Sequence, residues 1–148
     1  MSESESHHRR IVEELCAVLG QTANAHLLLE GGAMKIDKYA VWLVHDAPFD
    51  PGHMFVYVDL GVPSDPAVAY KRLLKLNFEL GAGVRGVMSL HPENDRVLYT
   101  FRYPLTAASS GQDLLKTLLR FAGGVSPDGA ENKPGSFSGG RPSAASRN

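Results

Sequence analysis

The sequence predicts an α+β fold with a mostly antiparallel sheet, and three observations support this. Apolar residues recur at helical spacing in three separate stretches, and alternation with a period of two fills the segments between them. The strands follow one another in hairpins, which is typical of α+β folds and not of parallel α/β folds. At 148 residues, the chain is expected to form one domain with a sizeable core.

Composition divides the chain into three parts. Residues 1–5 are predicted to be a polar, flexible N-terminus, and residues 6–123 hold the helix and strand patterns of the α+β domain. Residues 124–148 are rich in Gly, Ser and Pro and contain few apolar residues. We expect this tail to be disordered, because it has too little apolar surface to offset the entropy lost on folding.

The first predicted element is an amphipathic helix that runs from Ser6 to near Gly20. Cys16, on its apolar side, is the single cysteine, which leaves no partner for an intrachain disulfide and fits a reducing compartment. The adjacent His7 and His8 have no histidine partner at helical spacing, so they are interpreted as solvated surface residues and not as metal ligands. The apolar side consists of Ile11, Val12, Leu15, Cys16, Val18 and Leu19.

Residues 26–62 predict strands. Alternation of apolar and polar residues is clearest after the Gly31-Gly32 break, and the segment Asp46–Gly52 places Pro and Gly in ordinary turn positions. The outward face of the last of these strands is half polar and is expected to lie nearer to solvent. The predicted strands are His26–Glu30, Ala33–Ile36, Tyr39–His45 and His53–Leu60.

The middle helix, Asp65–Gly81, has both of its ends marked. Asp65 is a good N-cap, Pro66 suits the first helical position, and Gly81 provides a left-handed stop. Its apolar arc spans about 200°, whereas a helix that covers one core needs little more than about 100°. We therefore expect a second buried face, against another protein or, alternatively, against another helix of this chain. The extra flank consists of Tyr70, Leu74, Asn77 and Phe78.

A hairpin and a last helix complete the domain. Val84–Leu90 and Arg96–Leu105 are predicted as strands joined by the turn HPEND. Capping-box-like spacing from Ser110 predicts the start of a helix that ends at Gly123. The second strand carries an aromatic face that consists of Val97, Tyr99, Phe101 and Tyr103.

The sequence predicts no catalytic, nucleotide or metal site, and no cofactor. Gly81, Gly83 and Gly86 match a G-x-G-x-x-G spacing, but a helix precedes them and a strand follows, which is the reverse of a dinucleotide-binding loop. The histidines lack the spacing of paired metal ligands. The formal charge of −1 favours neither nucleic acid nor an anionic membrane, and no run resembles a signal peptide or membrane span, so a cytoplasmic protein is expected.

Several stretches together resemble the class I type III secretion chaperones of the Tir-chaperone (CesT-like) family. The most telling is RLLKLNFELG, Arg72–Gly81, followed by GVMSLHPENDRVLYTFRYPL, Gly86–Leu105, and by the helix Leu114–Phe121. The earlier segment GGAMKIDKYAVWLVHD, Gly31–Asp46, is similar to the first strands of the family. The similarity extends from Ser6 to Phe121 and depends on the order and spacing of these stretches. The chain differs from many members in being near neutral and in the length of its tail.

The resemblance implies a homodimer of α-β-β-β-α-β-β-α protomers that acts in the bacterial cytoplasm without ATP or a cofactor. It implies that the dimer binds the N-terminal region of a secreted effector or translocator in extended form and keeps it competent for export. The secretion ATPase or the export apparatus is a further partner that the resemblance suggests.

The resemblance also suggests which residues make these contacts. The dimer interface on the middle helix would contain Tyr70, Leu73, Leu74, Asn77 and Phe78. Effector-binding patches on the first helix and early strands would contain Ile11, Leu15, Leu19, Leu29, Met34 and Ile36. The alternatives are that these apolar residues fill the core, and that the protein is a small α+β enzyme or ligand-binding domain whose aromatic strand face lines an apolar pocket.

Overall fold

A computed structural model describes residues 2–81, 85–122 and 127, and it confirms the α+β class. The order of helices and strands follows the predicted pattern, with one additional short helix, α2, which a 3₁₀ turn precedes. Gly83, Val84 and the tail lie outside the described residues, apart from Pro127. The elements are α1 (Glu3–Val18), α2 (Ala25–Leu29), β1 (Met34–Ile36), β2 (Tyr39–Val44), β3 (His53–Gly61), α3 (Pro66–Glu79), β4 (Val87–Leu90), β5 (Val97–Pro104) and α4 (Gly111–Ala122).

The strands form one five-stranded sheet in the order β1-β2-β3-β5-β4, and all neighbouring strands are antiparallel. β1 and β4 are therefore the two edges. Residues along β2, β3 and β5 alternate between buried and less buried positions, as expected when only one face of a sheet is covered. The covered face and the inner sides of the four α-helices share one apolar core.

The aromatic face of β5 belongs to this core. Val97, Tyr99, Phe101 and Tyr103 are all buried, and the rings of Tyr99 and Phe101 meet Phe121 of α4 edge to face. These side chains therefore form part of the interior of the domain.

The predicted strand His26–Glu30 is wrong, because this segment forms the short helix α2. Its backbone closes locally, with the Glu30 N–H donating to the His26 carbonyl at 3.0 Å. Leu28 alone of the three consecutive leucines is fully buried. Such a short apolar run satisfies helical and extended periodicity equally, so its pattern does not decide between them.

Helix α1 begins earlier than predicted, at Glu3, so residues 3–5 are helical and not a flexible lead-in. Ser2 and Glu5 form a reciprocal capping box: the Glu5 N–H donates to Ser2 Oγ at 3.1 Å, and the Ser2 N–H donates to Glu5 Oε1 at 3.1 Å. The predicted caps of α3 and α4 are confirmed, with Asp65 and Ser110 each accepting a hydrogen bond from a first-turn N–H.

Helices α1 and α4 meet at a junction built around Gly111. A β-carbon at this position would overlap the Leu15 backbone nitrogen and the Glu14 backbone, so α4 approaches α1 as closely as the backbones permit. The Glu14 carboxylate accepts a hydrogen bond from the Gly111 N–H at 2.9 Å and another from Arg10 Nη1 at 3.1 Å. The Gly111 N–H is the main cause of a lowered Glu14 pKa, and Arg10 adds to it.

This junction predicts that Gly111→Ala is strongly destabilising. The added methyl group would overlap backbone atoms, which cannot move aside by changing rotamer as a side chain can. We therefore expect a loss of about 2–4 kcal/mol in the free energy of unfolding. Gly52→Ala is the matched control, since no heavy atom lies within 4 Å of the place that its β-carbon would take. Urea denaturation of both variants checks this, and equal midpoints would contradict the described packing.

Candidate functional site

Helix α3 exposes two large apolar side chains on the side that faces away from the core. Leu74 is 72% exposed and Phe78 is 86% exposed, whereas Leu73 and Leu76 on the inner side are 5% exposed. Leu74 and Phe78 are one turn apart, so they are neighbours on the helix surface. Large apolar residues grouped in this way mark a surface for another chain more often than a solvated face.

Asn77 attaches α3 to the edge of the sheet. Its Nδ2 donates to the Met88 carbonyl at 3.0 Å, and the Met88 N–H donates to its Oδ1 at 2.7 Å. Among the described strands, β4 pairs with β5 and with no other. The carboxamide therefore occupies the backbone groups that a further strand would use at Met88, and it fixes the distance between α3 and β4.

An apolar pocket of about 370 Å³ lies between α3 and β4. Its walls include Tyr70, Leu74 and Asn77 on the helix and residues 88–90 on the strand. Tyr70 is half-buried, and Leu90 is 37% exposed. We refer to Tyr70, Leu74, Phe78 and this pocket as the α3–β4 surface.

Of the five residues predicted at a dimer interface, the structure leaves three side chains available on the α3–β4 surface: Tyr70, Leu74 and Phe78. Leu73 is in the core, and the Asn77 side chain is engaged with β4 within the same chain. Helical spacing alone does not separate these roles, because Leu73 and Asn77 lie at the boundary between the inner and outer arcs.

The predicted effector-binding residues are mostly inaccessible. Ile11, Leu15, Met34 and Ile36 are between 0 and 4% exposed, and they belong to the core. A partner that docks on the folded domain cannot contact these four side chains, because they lie in the core that α1 shares with α4 and the sheet. The remaining two, Leu19 and Leu29, are partly buried and pack against the core.

The uncovered side of the sheet provides a second surface, which we call the open sheet face: Trp42, Val44, Phe55, Tyr57 and Leu98. The described helices share the core on the opposite side of the sheet, and these five side chains are only partly buried. Trp42 lies across from Tyr57 in the strand register, and Val44 lies across from Phe55. A trough of about 570 Å³ crosses this face, with Trp42, Tyr57 and Leu98 among its walls.

Two ion pairs border the open sheet face. Arg96 Nε donates to Asp59 Oδ2 at 2.7 Å, and Arg102 Nε donates to Asp50 Oδ2 at 2.8 Å. The hydrogen bond to Asp59 raises the pKa of Arg96. For Asp50, desolvation opposes ionisation, but the bonds from Arg102 and His53 outweigh it and lower the pKa. The charges of both pairs are therefore neutralised, and Trp42, Tyr57 and Leu98 give the trough a largely apolar lining beside Asp59 and Arg96.

His8 is not the solvated residue that the sequence suggested. Its ring lies 5.3 Å from that of His45, and its Nε2 is buried without a hydrogen-bond partner among the described residues. Burial is the main cause of a lowered His8 pKa, and the positive charge that His45 can carry adds to it. His8 and His45 are far apart in the sequence, so no local spacing pattern predicts that their rings lie together.

No protein-family model matches the chain, and no curated protein matches it. Within residues 2–81 and 85–122, no three His, Cys, Asp or Glu side chains are grouped so as to hold a metal ion. The helices of this described part include none that is long and apolar enough to cross a membrane. The α3–β4 surface and the open sheet face are the two exposed, largely apolar surfaces of the described residues, and we take them as the candidate functional site.

The contact between Asn77 and β4 predicts a specific local loss in Asn77→Ala. Both edge groups of Met88 would lose their partner, which costs about 1–3 kcal/mol of folding stability when they stay partly shielded. The Met88 amide should then exchange its hydrogen much faster. Amides in the centre of β3 should lose only as much protection as the fall in global stability accounts for. Amide hydrogen exchange measures both.

Asn77→Asp is the matched control, since a carboxylate still accepts from the Met88 N–H but cannot donate to its carbonyl. It should retain part of the amide protection. Unchanged exchange at Met88 in Asn77→Ala would show that the carboxamide does not hold the strand.

Proposed function

We propose that this chain is a homodimeric, non-enzymatic secretion chaperone of the class I type III kind. It binds the N-terminal region of a secreted effector or translocator in extended form and keeps it competent for export. The observation that carries the proposal is the exposure of Leu74 and Phe78, at 72% and 86%, on a helix that already buries its other side. A second protein surface accounts for this arrangement.

Homodimerisation through α3 accounts for the first surface. The α3–β4 surface contains apolar side chains along more than two helical turns, and Lys71 and Lys75 lie to one side of it. A contact of this kind removes apolar area from water, which favours association, and the long side chains of Lys71 and Lys75 can keep their charged ends in water at its border. The resemblance of Arg72–Gly81 to the middle helix of the CesT-like family supports the same assignment.

The open sheet face and the free edge of β1 account for client binding. An extended client segment can place alternate side chains against Trp42, Tyr57 and Leu98, which give the trough a largely apolar lining. Among the described strands, β1 pairs with β2 alone, so its other edge can accept an added strand. We place the client here and not on Ile11, Leu15, Met34 or Ile36, because those four residues are in the core.

Leu74→Asp is predicted to weaken dimerisation strongly while it spares the fold. Leu74 is largely exposed in the single chain, so the substitution adds no buried charge to the isolated domain. In the dimer, the carboxylate would be desolvated among apolar side chains, and we expect the dissociation constant to rise by at least about 100-fold. Sedimentation velocity across a concentration series measures this change.

Val68→Asp is the matched control, because Val68 is also exposed on α3 but lies on the other side of Lys71 and Lys75. It should change dimerisation little. If Leu74→Asp dimerises as tightly as the unchanged protein, α3 is not the interface.

Tyr57→Glu is predicted to lose the client and keep the dimer. The test co-expresses the chain with secreted proteins encoded beside it, then measures both the soluble yield of each candidate and its co-purification. A client should become soluble and bound with the unchanged chain and should be lost with Tyr57→Glu, because the new charge lies in the largely apolar lining of the trough. Lys116→Glu, an exposed change on α4, is the control and should retain the client. A client retained equally by both variants would exclude the open sheet face.

A further inference from the structure

The α3–β4 surface carries a protruding apolar side chain beside an apolar pocket. Phe78 is 86% exposed, the largest value among the large apolar side chains of the described residues. The pocket, of about 370 Å³, lies beside Leu74, one helical turn before Phe78. A dry apolar cavity of about 150 Å³ is enough to hold benzene, so this pocket has room for a phenyl ring.

The spacing of these two features suits a two-fold axis. Leu74 and Phe78 are separated by about 6 Å along the helix. When two copies of α3 lie antiparallel about an axis that passes between these residues, Phe78 of each copy comes opposite Leu74 and the pocket of the other. A contact in which each copy presents the same surface is isologous, and it closes after two chains.

A second copy explains this surface better than an unrelated partner does. An unrelated partner would have to supply both a cavity for Phe78 and a side chain for the pocket, whereas this chain already contains one of each. Among the polar side chains that line the pocket, the Asn77 carboxamide has both its Oδ1 and its Nδ2 engaged with Met88, so covering the pocket leaves both atoms paired.

We propose that Phe78 of each copy inserts into the pocket between α3 and β4 of the other copy. This inference rests on the proposed homodimer and specifies the contact that forms it. It also assigns Asn77 a second role as a positioning residue, since its bonds to Met88 hold the pocket walls apart. The interface is then made by side chains and not by a sheet continued through Met88, whose outward backbone groups Asn77 already occupies.

Two variants test the contact from opposite sides. Phe78→Ala removes the inserted ring, and Leu90→Trp fills the pocket from a strand position that is 37% exposed and lies at the sheet edge. Each homodimer should dissociate with a constant at least about 30-fold higher than that of the unchanged protein. Val68→Ala is the control on the same helix and should change the constant by less than about 3-fold. Circular dichroism and thermal melts of each variant confirm that the protomer is folded.

A mixture of the two variants provides the decisive measurement. One Phe78→Ala copy and one Leu90→Trp copy retain a single productive contact, because the intact Phe78 of the second copy meets the intact pocket of the first. The heterodimer should therefore exceed both homodimers in native mass spectrometry, well beyond the statistical proportion.

The outcomes separate this inference from the function on which it rests. A wild-type protein that is monomeric at every concentration would overturn both the homodimer and the inserted ring. A wild-type dimer whose affinity Phe78→Ala and Leu90→Trp leave at the level of the Val68→Ala control would overturn the inserted ring alone. A purely statistical mixture of the two variants would do the same.

Discussion

The pair of hydrogen bonds between the Asn77 carboxamide and the Met88 backbone fixes the arrangement on which the proposed function depends. These bonds hold α3 beside β4, an edge strand that would otherwise present unpaired backbone groups at this position. With α3 attached there, its inner arc completes the core, and Leu74 and Phe78 remain on the outside. The same attachment creates the apolar pocket between the helix and the strand.

The open sheet face is uncovered because the described helices form a single layer on the other side of the sheet. α1 and α4 approach each other closely because Gly111 has no side chain, and the Glu14 carboxylate joins the two helices at that point. The four α-helices contribute to one core on one side of the sheet. No described helix is left to cover the other side, so Trp42, Tyr57 and their neighbours stay partly exposed. Ion pairs at the border of this face neutralise its charges, and the lining of the trough is largely apolar.

Patterns that depend on local chemistry were predicted well from the sequence. Asp65 caps α3, Gly81 ends it with a positive φ of 74°, and Ser110 caps α4, because each of these roles is decided within one turn of chain. The hairpin strands were predicted from alternation. The run of leucines in α2 was predicted incorrectly because a short apolar segment fits either periodicity.

Roles that depend on tertiary contacts were beyond the sequence. Leu15 and Met34 are apolar, as residues of the core and residues of a client-binding patch both are. Only the three-dimensional packing shows that these two belong to the core. The resemblance to the CesT-like family assigns Asn77 to a dimer interface, and only the position of β4 in the sheet shows that its side chain bonds to Met88 of the same chain. The open sheet face was indicated only by the half-polar alternation of β3, which did not distinguish a solvated face from a binding surface.

The central claim is that α3 has a second copy of this chain as its partner. Sedimentation equilibrium of the unchanged protein, from low to high micromolar concentration, tests it most directly. We expect a mass of twice the 16.0 kDa of one chain over most of that range. A mass that stays at 16.0 kDa throughout would contradict it.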